Sequence, residues 1–127
     1  MLLLAAGPVA SAEILEAGST RPDKVVAEFR VGGTRLVLVA GDIAEAAPSF
    51  GQNTPGLDFR LAPDAGRLFA DLTEGAIGQE MSLDICGDTL VTATIRERLD
   101  GAGHVAFESL GEAVFYATRL TGEITCD

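Results

Sequence analysis

Apolar positions recur along this chain with two different periods, and the switches between them mark its elements. Leu57, Phe59 and Leu61 alternate with Asp58 and Arg60, the period of a strand with one buried face. Pro63 follows, a residue that suits the first helical position and no interior one. Asp64 then sits in the first turn, where a carboxylate complements the helix dipole. Ala65, Leu68, Phe69 and Leu72 recur at helical spacing, with Asp64, Arg67, Asp71 and Glu74 turned elsewhere, and Gly75 and Gly78 end the pattern. The period returns to two at Met81, Leu83 and Ile85. After Gly87-Asp88, assigned to a tight turn, it continues through Val91, Ala93 and Ile95. The central stretch therefore predicts strand, helix, strand, strand.

The flanks extend this plan. Lys24 to Ala40 is a candidate hairpin about Gly32-Gly33. Its second arm has Val37 and Val39 on one face and Leu36, Leu38 and Ala40 on the other, so the strand is either covered on both sides or part of an interface. Residues 13–23 read as mixed and loop-like, and Gly51 to Gly56 as a loop carrying Asn53 and Pro55. Leu99 to His104 is a glycine-rich loop, and His104 to Glu108 a short strand. Ser109 lies three residues before Glu112, the spacing of a capping box. Leu110, Ala113, Val114, Ala117 and Leu120 then make a second helical face, closed by Gly122. Glu123 to Asp127 is a final short strand or tail.

Composition narrows the function classes. The chain has 127 residues, the size of one domain with its own core. Aromatic residues make up 6% and tryptophan is absent, which leaves no platform on which single-stranded bases would stack. The net charge of −10 argues against nucleic acid and anionic lipid as partners. Residues 1–12, MLLLAAGPVASA, combine a short apolar run with an Ala10-Ser11-Ala12 cleavage pattern, and are assigned to a signal peptide whose basic beginning is missing. A buried N-terminal strand or helix start is the competing reading. The run is too short to span a bilayer, so the mature chain, 13–127, is expected as a single exported domain without membrane insertion, periplasmic or secreted.

Candidates for chemistry are few. His104 is the only histidine and has no recognisable nucleophile or acid beside it in sequence, so it is assigned to a solvated loop and no catalytic residue is proposed. The pairs Asp42/Glu45, Asp84/Asp88 and Glu97/Asp100 lack calcium-loop spacing and read as turn caps or solvated strand ends. No phosphate-cradling glycine motif or nucleophile elbow is present, and no cofactor or metal site is expected. Cys86 and Cys126 are the only cysteines, too few for a cysteine-only zinc site. In an exported chain they make a natural disulfide pair, with free thiols or an intermolecular link as the alternatives.

Three segments resemble the periplasmic head domain of SecD, a subunit of the SecDF protein-export machinery. The first is a lead-in with Asp42, Ile43, Ala46, Phe50, Gln52 and Asn53, and Gly51 where the family often has Asp. The second carries Phe59, Leu61, Pro63, Phe69, Ala70, Thr73, Ile77, Gly78 and Met81, with Asp64 for Glu, Ala65-Gly66 inverted and Ala76 for Asn. The third carries Gly87, Leu90, Thr92, Ala93, Ile95 and Glu97, with Thr94 where Pro is usual. The segment from Phe107 to Glu123 is similar to the family's following helix. The departures fall mostly on polar surface and turn positions.

The fold expected is α+β: an antiparallel sheet with two helices packed on one face. From Leu57 onward the order β-α-β-β-α-β matches a ferredoxin-like core, but that topology puts the strands bearing Cys86 and Cys126 on opposite edges. The disulfide and the strict ferredoxin-like order therefore compete. The resemblance implies a non-enzymatic periplasmic interaction module related to export, whose partners are an exported polypeptide or a translocon component. The alternative is a small exported protein with an unrelated envelope or ligand-binding role on the same fold, for which an apolar pocket would be the mark.

Overall fold

The chain turns back on itself at Gly32-Gly33, as the pattern predicts. In the computed structural model, which describes residues 13–16, 25–51 and 53–126, strand β2 (Val25–Val31) pairs antiparallel with β3 (Thr34–Val39), and Gly32 takes a φ of 57° in the turn. A short strand β1 (Glu13–Glu16) pairs parallel with the other side of β3. With neighbours on both sides, β3 buries Leu36, Val37, Leu38 and Val39, which settles its two apolar faces as interior. The proposed signal peptide at 1–12 lies outside the described residues.

The central stretch forms the elements its periods predict, but over two sheets. Strand β4 (Ile43–Gly51) pairs with β5 (Thr54–Leu61), which pairs in turn with β8 (Ala102–Ala106). The segment read as a loop from Gly51 to Gly56 is instead a tight reversal, with Asn53 at φ 62° and Thr54–Gly56 already in β5. Pro48 is tolerated in β4 because that strand is a sheet edge. Helix α1 (Pro63–Glu74) starts with Pro63 at its first position and follows β5. Strands β6 (Glu80–Ile85) and β7 (Asp88–Thr94) form the second hairpin and join the other sheet, giving the order β1-β3-β2-β6-β7. Helix α2 (Leu110–Leu120) comes last.

The architecture is α+β with antiparallel pairing throughout except at β1–β3. The ferredoxin-like order is not adopted. A ferredoxin-like core would hold β5, β6 and β7 in one sheet; here β6 finds β2, and β5 is flanked by β4 and β8. The physical reason is the first hairpin, whose strand β2 offers Ala27, Phe29 and Val31 to the apolar face of β6. The final residues form no strand, which leaves Cys126 free to reach Cys86.

One core joins the layers. Phe29 of β2 packs tilted against Phe69 of α1, with ring centroids 4.4 Å apart, and approaches Phe59 of β5 at 6.2 Å, so a single ring bridges the two sheets and a helix. Leu57, Leu61 and Val105 from the three-stranded sheet and Ala117 and Leu120 from α2 complete it. Helix α1 buries Ala65, Phe69 and Thr73 with Gly66 and Ala70, while Leu68 and Leu72 stay at the margin. Its face is rotated toward the small residues, which let the helix approach its neighbours closely. The Thr73 hydroxyl donates to Ala70 O and accepts the Leu99 N–H at 2.9 Å, tying the helix to the connection before β8. Among the described residues no helix is long and apolar enough to cross a membrane.

Candidate interaction surface

The polar face of the five-stranded sheet carries a continuous chain of charges. Register from the first hairpin puts Arg30 directly opposite Arg35, an unfavourable pairing if left alone. Glu28 resolves it. Its carboxylate accepts two bonds from Arg35, at 2.7 and 3.3 Å, and lies 3.7 Å from Arg30. Arg30 in turn reaches Asp84 of β6 at 3.0 Å, and Asp84 accepts the Thr89 hydroxyl of β7 at 2.7 Å. The hydrogen bonds that Arg35 donates to Glu28 hold the Arg35 pKa above its usual range. The chain runs across β3, β2, β6 and β7 in order, and its carboxylates are mostly shielded while the guanidiniums reach water.

Beside it, the β6–β7 turn is built on Cys86 and Gly87, not on Gly87-Asp88 as the sequence reading has it. Ile85 pairs with Asp88, and the two residues between have φ of 54° and 85°, the primed geometry that matches strand twist. Cys86 takes a conformation that non-glycine residues seldom adopt. It is bonded to Cys126, with Cα atoms 5.3 Å apart. The predicted disulfide is thus present, and it anchors the segment after α2 to the turn. A disulfide fits an oxidising, extracytoplasmic setting. Next to it, the Tyr116 hydroxyl donates to Asp88 at 2.9 Å. Burial first, and the Asp88 carboxylate second, push the Tyr116 pKa up.

The remaining predicted positions fall apart from one another. His104 lies in strand β8 rather than in a loop, opposite Asp58, and its Nδ1 meets the Asp58 carboxylate at 2.5 Å. Gly56 makes room for that imidazole: a Cβ there would stand 2.4 Å from the ring. Asp42 is buried and accepts the Val39 N–H at 3.0 Å, a turn cap as expected, while Glu45 pairs with Arg60. Asp84 and Asp88 serve the sheet network and Tyr116 respectively. Among the described residues no cluster of acidic, histidine or cysteine side chains has the makings of a metal site. The capping box forms, with Ser109 accepting the Glu112 N–H and Glu112 accepting the Glu108 N–H one residue further back than expected.

Hollows are few. The apolar one, between Phe29, Phe59, Leu83 and Leu120, is only about 10 Å³, the size of a single water and far below the several hundred of a ligand pocket. The larger hollow is an open groove along β2, β6 and β7, lined by Arg30, Gln79, Glu80, Ser82, Thr89 and Thr92. Sequence reading missed the charge chain and the Asp58–His104 pair. The first was legible in outline, because the Gly32-Gly33 turn fixes Arg30 opposite Arg35; the second was hidden by assigning His104 to a loop.

An α+β module of two antiparallel sheets, stapled near its second hairpin and presenting an ion-paired face, is the class this geometry defines. Compared with solved structures, it has the fold of a SecDF domain. It is similar to a chain described as "Structure and function of a membrane component SecDF that enhances protein export", with a TM-score of 0.61 and 24% identity over 66% of this chain and 40% of that one. It is also similar to "Crystal structure of SecDF in Super-membrane-facing form", with a TM-score of 0.60 and 24% identity over 66% of this chain and 12% of that one. No protein-family model and no curated protein matches the sequence.

Proposed function

We propose that this chain is a non-enzymatic, extracytoplasmic interaction module that acts on polypeptides in the course of protein export. The observation that carries the reading is the SecDF-like fold over 66% of the chain. The SecDF of that comparison is described as a membrane component that enhances protein export; what this chain shares with it is a domain. The disulfide supports an exported setting, in the periplasm for a cell with two membranes. The exposed strand edges support binding of extended chain, because unpaired backbone groups recruit another strand. The ligand-binding alternative draws no support from the apolar hollow of about 10 Å³, and the hollows of about 710 and 420 Å³ are open grooves with mixed polar and apolar linings.

The reading is tested by in-cell crosslinking of the tagged chain followed by mass spectrometry, together with binding of the purified protein to a carboxymethylated, permanently unfolded polypeptide. Enrichment of exported chains or translocon subunits and measurable binding of the unfolded polypeptide are the expected results. A periplasmic monomer that captures neither, and does not bind the unfolded chain, overturns it.

A further inference from the structure

We infer that β7 is the docking edge for an extended polypeptide segment in which apolar residues alternate with basic ones, added as a sixth strand to the five-stranded sheet. The inference rests on the reading of the chain as a polypeptide-binding module and specifies where the segment lies and what its chemistry is.

β7 pairs with β6 on one side, and among the described residues no strand pairs with the other. A strand in that position presents a row of free backbone N–H and C=O groups. Its sequence, DTLVTAT, is rich in β-formers and carries neither proline nor lysine; a bulge at Leu90 interrupts the pairing with β6, leaving Val91–Thr94 as the regular stretch of the edge. The other edges are poorer templates. β4 carries Pro48, while β1 and β8 span only four and five residues. Every residue of β7 is exposed except Leu90, which is half-buried.

The two faces beside this edge differ, and that sets the alternation. Val91 lies across from Leu83 and Ala93 across from Met81, on the face that becomes core further in, yet Val91 is 40% exposed because the core stops short of β7. Apolar side chains from an added strand would extend that core. On the opposite face Thr89 and Thr92 border the open groove with Ser82 and Glu80, where polar side chains would lie. Charge sets the sign. The one guanidinium in the groove, Arg30, is already neutralised by Asp84 and Glu28, whereas Glu80, at the open end of the hairpin, has no basic partner among the described residues. With a net charge of −10, the molecule attracts a basic segment and repels a second copy of itself.

The test uses the oxidised full chain and a labelled eight-residue peptide alternating valine with lysine. A copy N-methylated on alternate amides, which cannot pair along one edge, is the control. Amide hydrogen exchange should slow across residues 88–94 on adding the peptide, and the N-methylated copy should bind roughly tenfold more weakly or not at all. Val91→Lys, at an exposed position, should weaken the peptide by a similar factor. Peptide binding that N-methylation and Val91→Lys leave unchanged, or exchange slowing elsewhere than 88–94, overturns the assignment. So does a dimer in sedimentation that Val91→Lys dissolves, since the edge would then serve self-association. The exchange measurement on the unaltered protein decides even where a variant misfolds. Equal binding of the carboxymethylated polypeptide by the parent and Val91→Lys proteins would leave the proposed function standing and remove only the edge; no binding of that polypeptide by either would remove both.

Discussion

At the scale of single residues, the structure rests on a few positions where one atom decides. Tyr116 is the only tyrosine, so absorbance at alkaline pH reports it alone. Its midpoint is expected above the ordinary value of 10.0, because burial and the adjacent Asp88 both favour the neutral phenol. Asp88→Asn should lower the midpoint, and an unshifted midpoint in the parent protein would refute the assignment. The folded pKa is the raised one, so this contribution to stability is whole below about pH 10 and fades as pH climbs through the folded value. Gly101 is the second such position. Its φ is 95°, and a Cβ there would stand 3.0 Å from Gly66 Cα, backbone that cannot swing aside. Gly101→Ala is expected to cost about 1–3 kcal/mol in a urea melt. Little of this was readable beforehand. The glycine-rich run marked a loop, but its need for glycine comes from helix α1, a partner 35 residues away that no local pattern announces.

At the scale of elements, sequence and structure agree on identity and part over orientation. Both helices, their starts and the β2–β3 and β6–β7 hairpins follow from period and punctuation, whereas the β4–β5 reversal reads in sequence as a loop. The faces do not follow as closely. Period alone ranked Leu68 and Leu72 with Ala65 and Phe69, whereas the helix turns Thr73, a polar residue, into full burial. A buried hydroxyl that both donates and accepts is what holds α1 to the Leu99 backbone. Thr73→Val keeps the shape and leaves the Leu99 N–H without its acceptor, so it should cost about 1–3 kcal/mol, visible as a lower denaturant midpoint. On the sheet, Glu28 separates two guanidiniums that the hairpin register forces together. Glu28→Gln should therefore lower the denaturant midpoint, and by less in high salt, which screens the exposed Arg30–Arg35 repulsion. An equal loss at both ionic strengths would mean that packing, not charge, is what Glu28 supplies.

At the scale of the whole molecule, what local pattern could not convey was the assembly of strands. Alternation identifies a strand and its buried face, but not its neighbour, and β6 chooses β2 over β5 across the intervening chain of residues 32–79. The disulfide was the one long-range contact open to inference, since only one intrachain pairing of two cysteines exists, and it correctly opposed the ferredoxin-like order. Its loop spans 40 residues, for which chain entropy predicts a loss of about 3–4 kcal/mol when the bond is removed by Cys86→Ala with Cys126→Ala. Comparing urea melts of the parent and double-variant proteins measures it, and equal midpoints would show the bridge to be incidental to the fold. The same bridge has a mechanical meaning. A pull applied at the two ends of the chain enters at Cys86 on one side, because Cys126 passes the load straight to it. Strands β7 and β8 and helix α2 lie inside the closed loop and are bypassed, so roughly 140 Å of contour stays out of reach until the bond is reduced. Under tension β6, which precedes Cys86, carries the load, while β7 behind the bond is spared, so the two arms of one hairpin differ in what they feel.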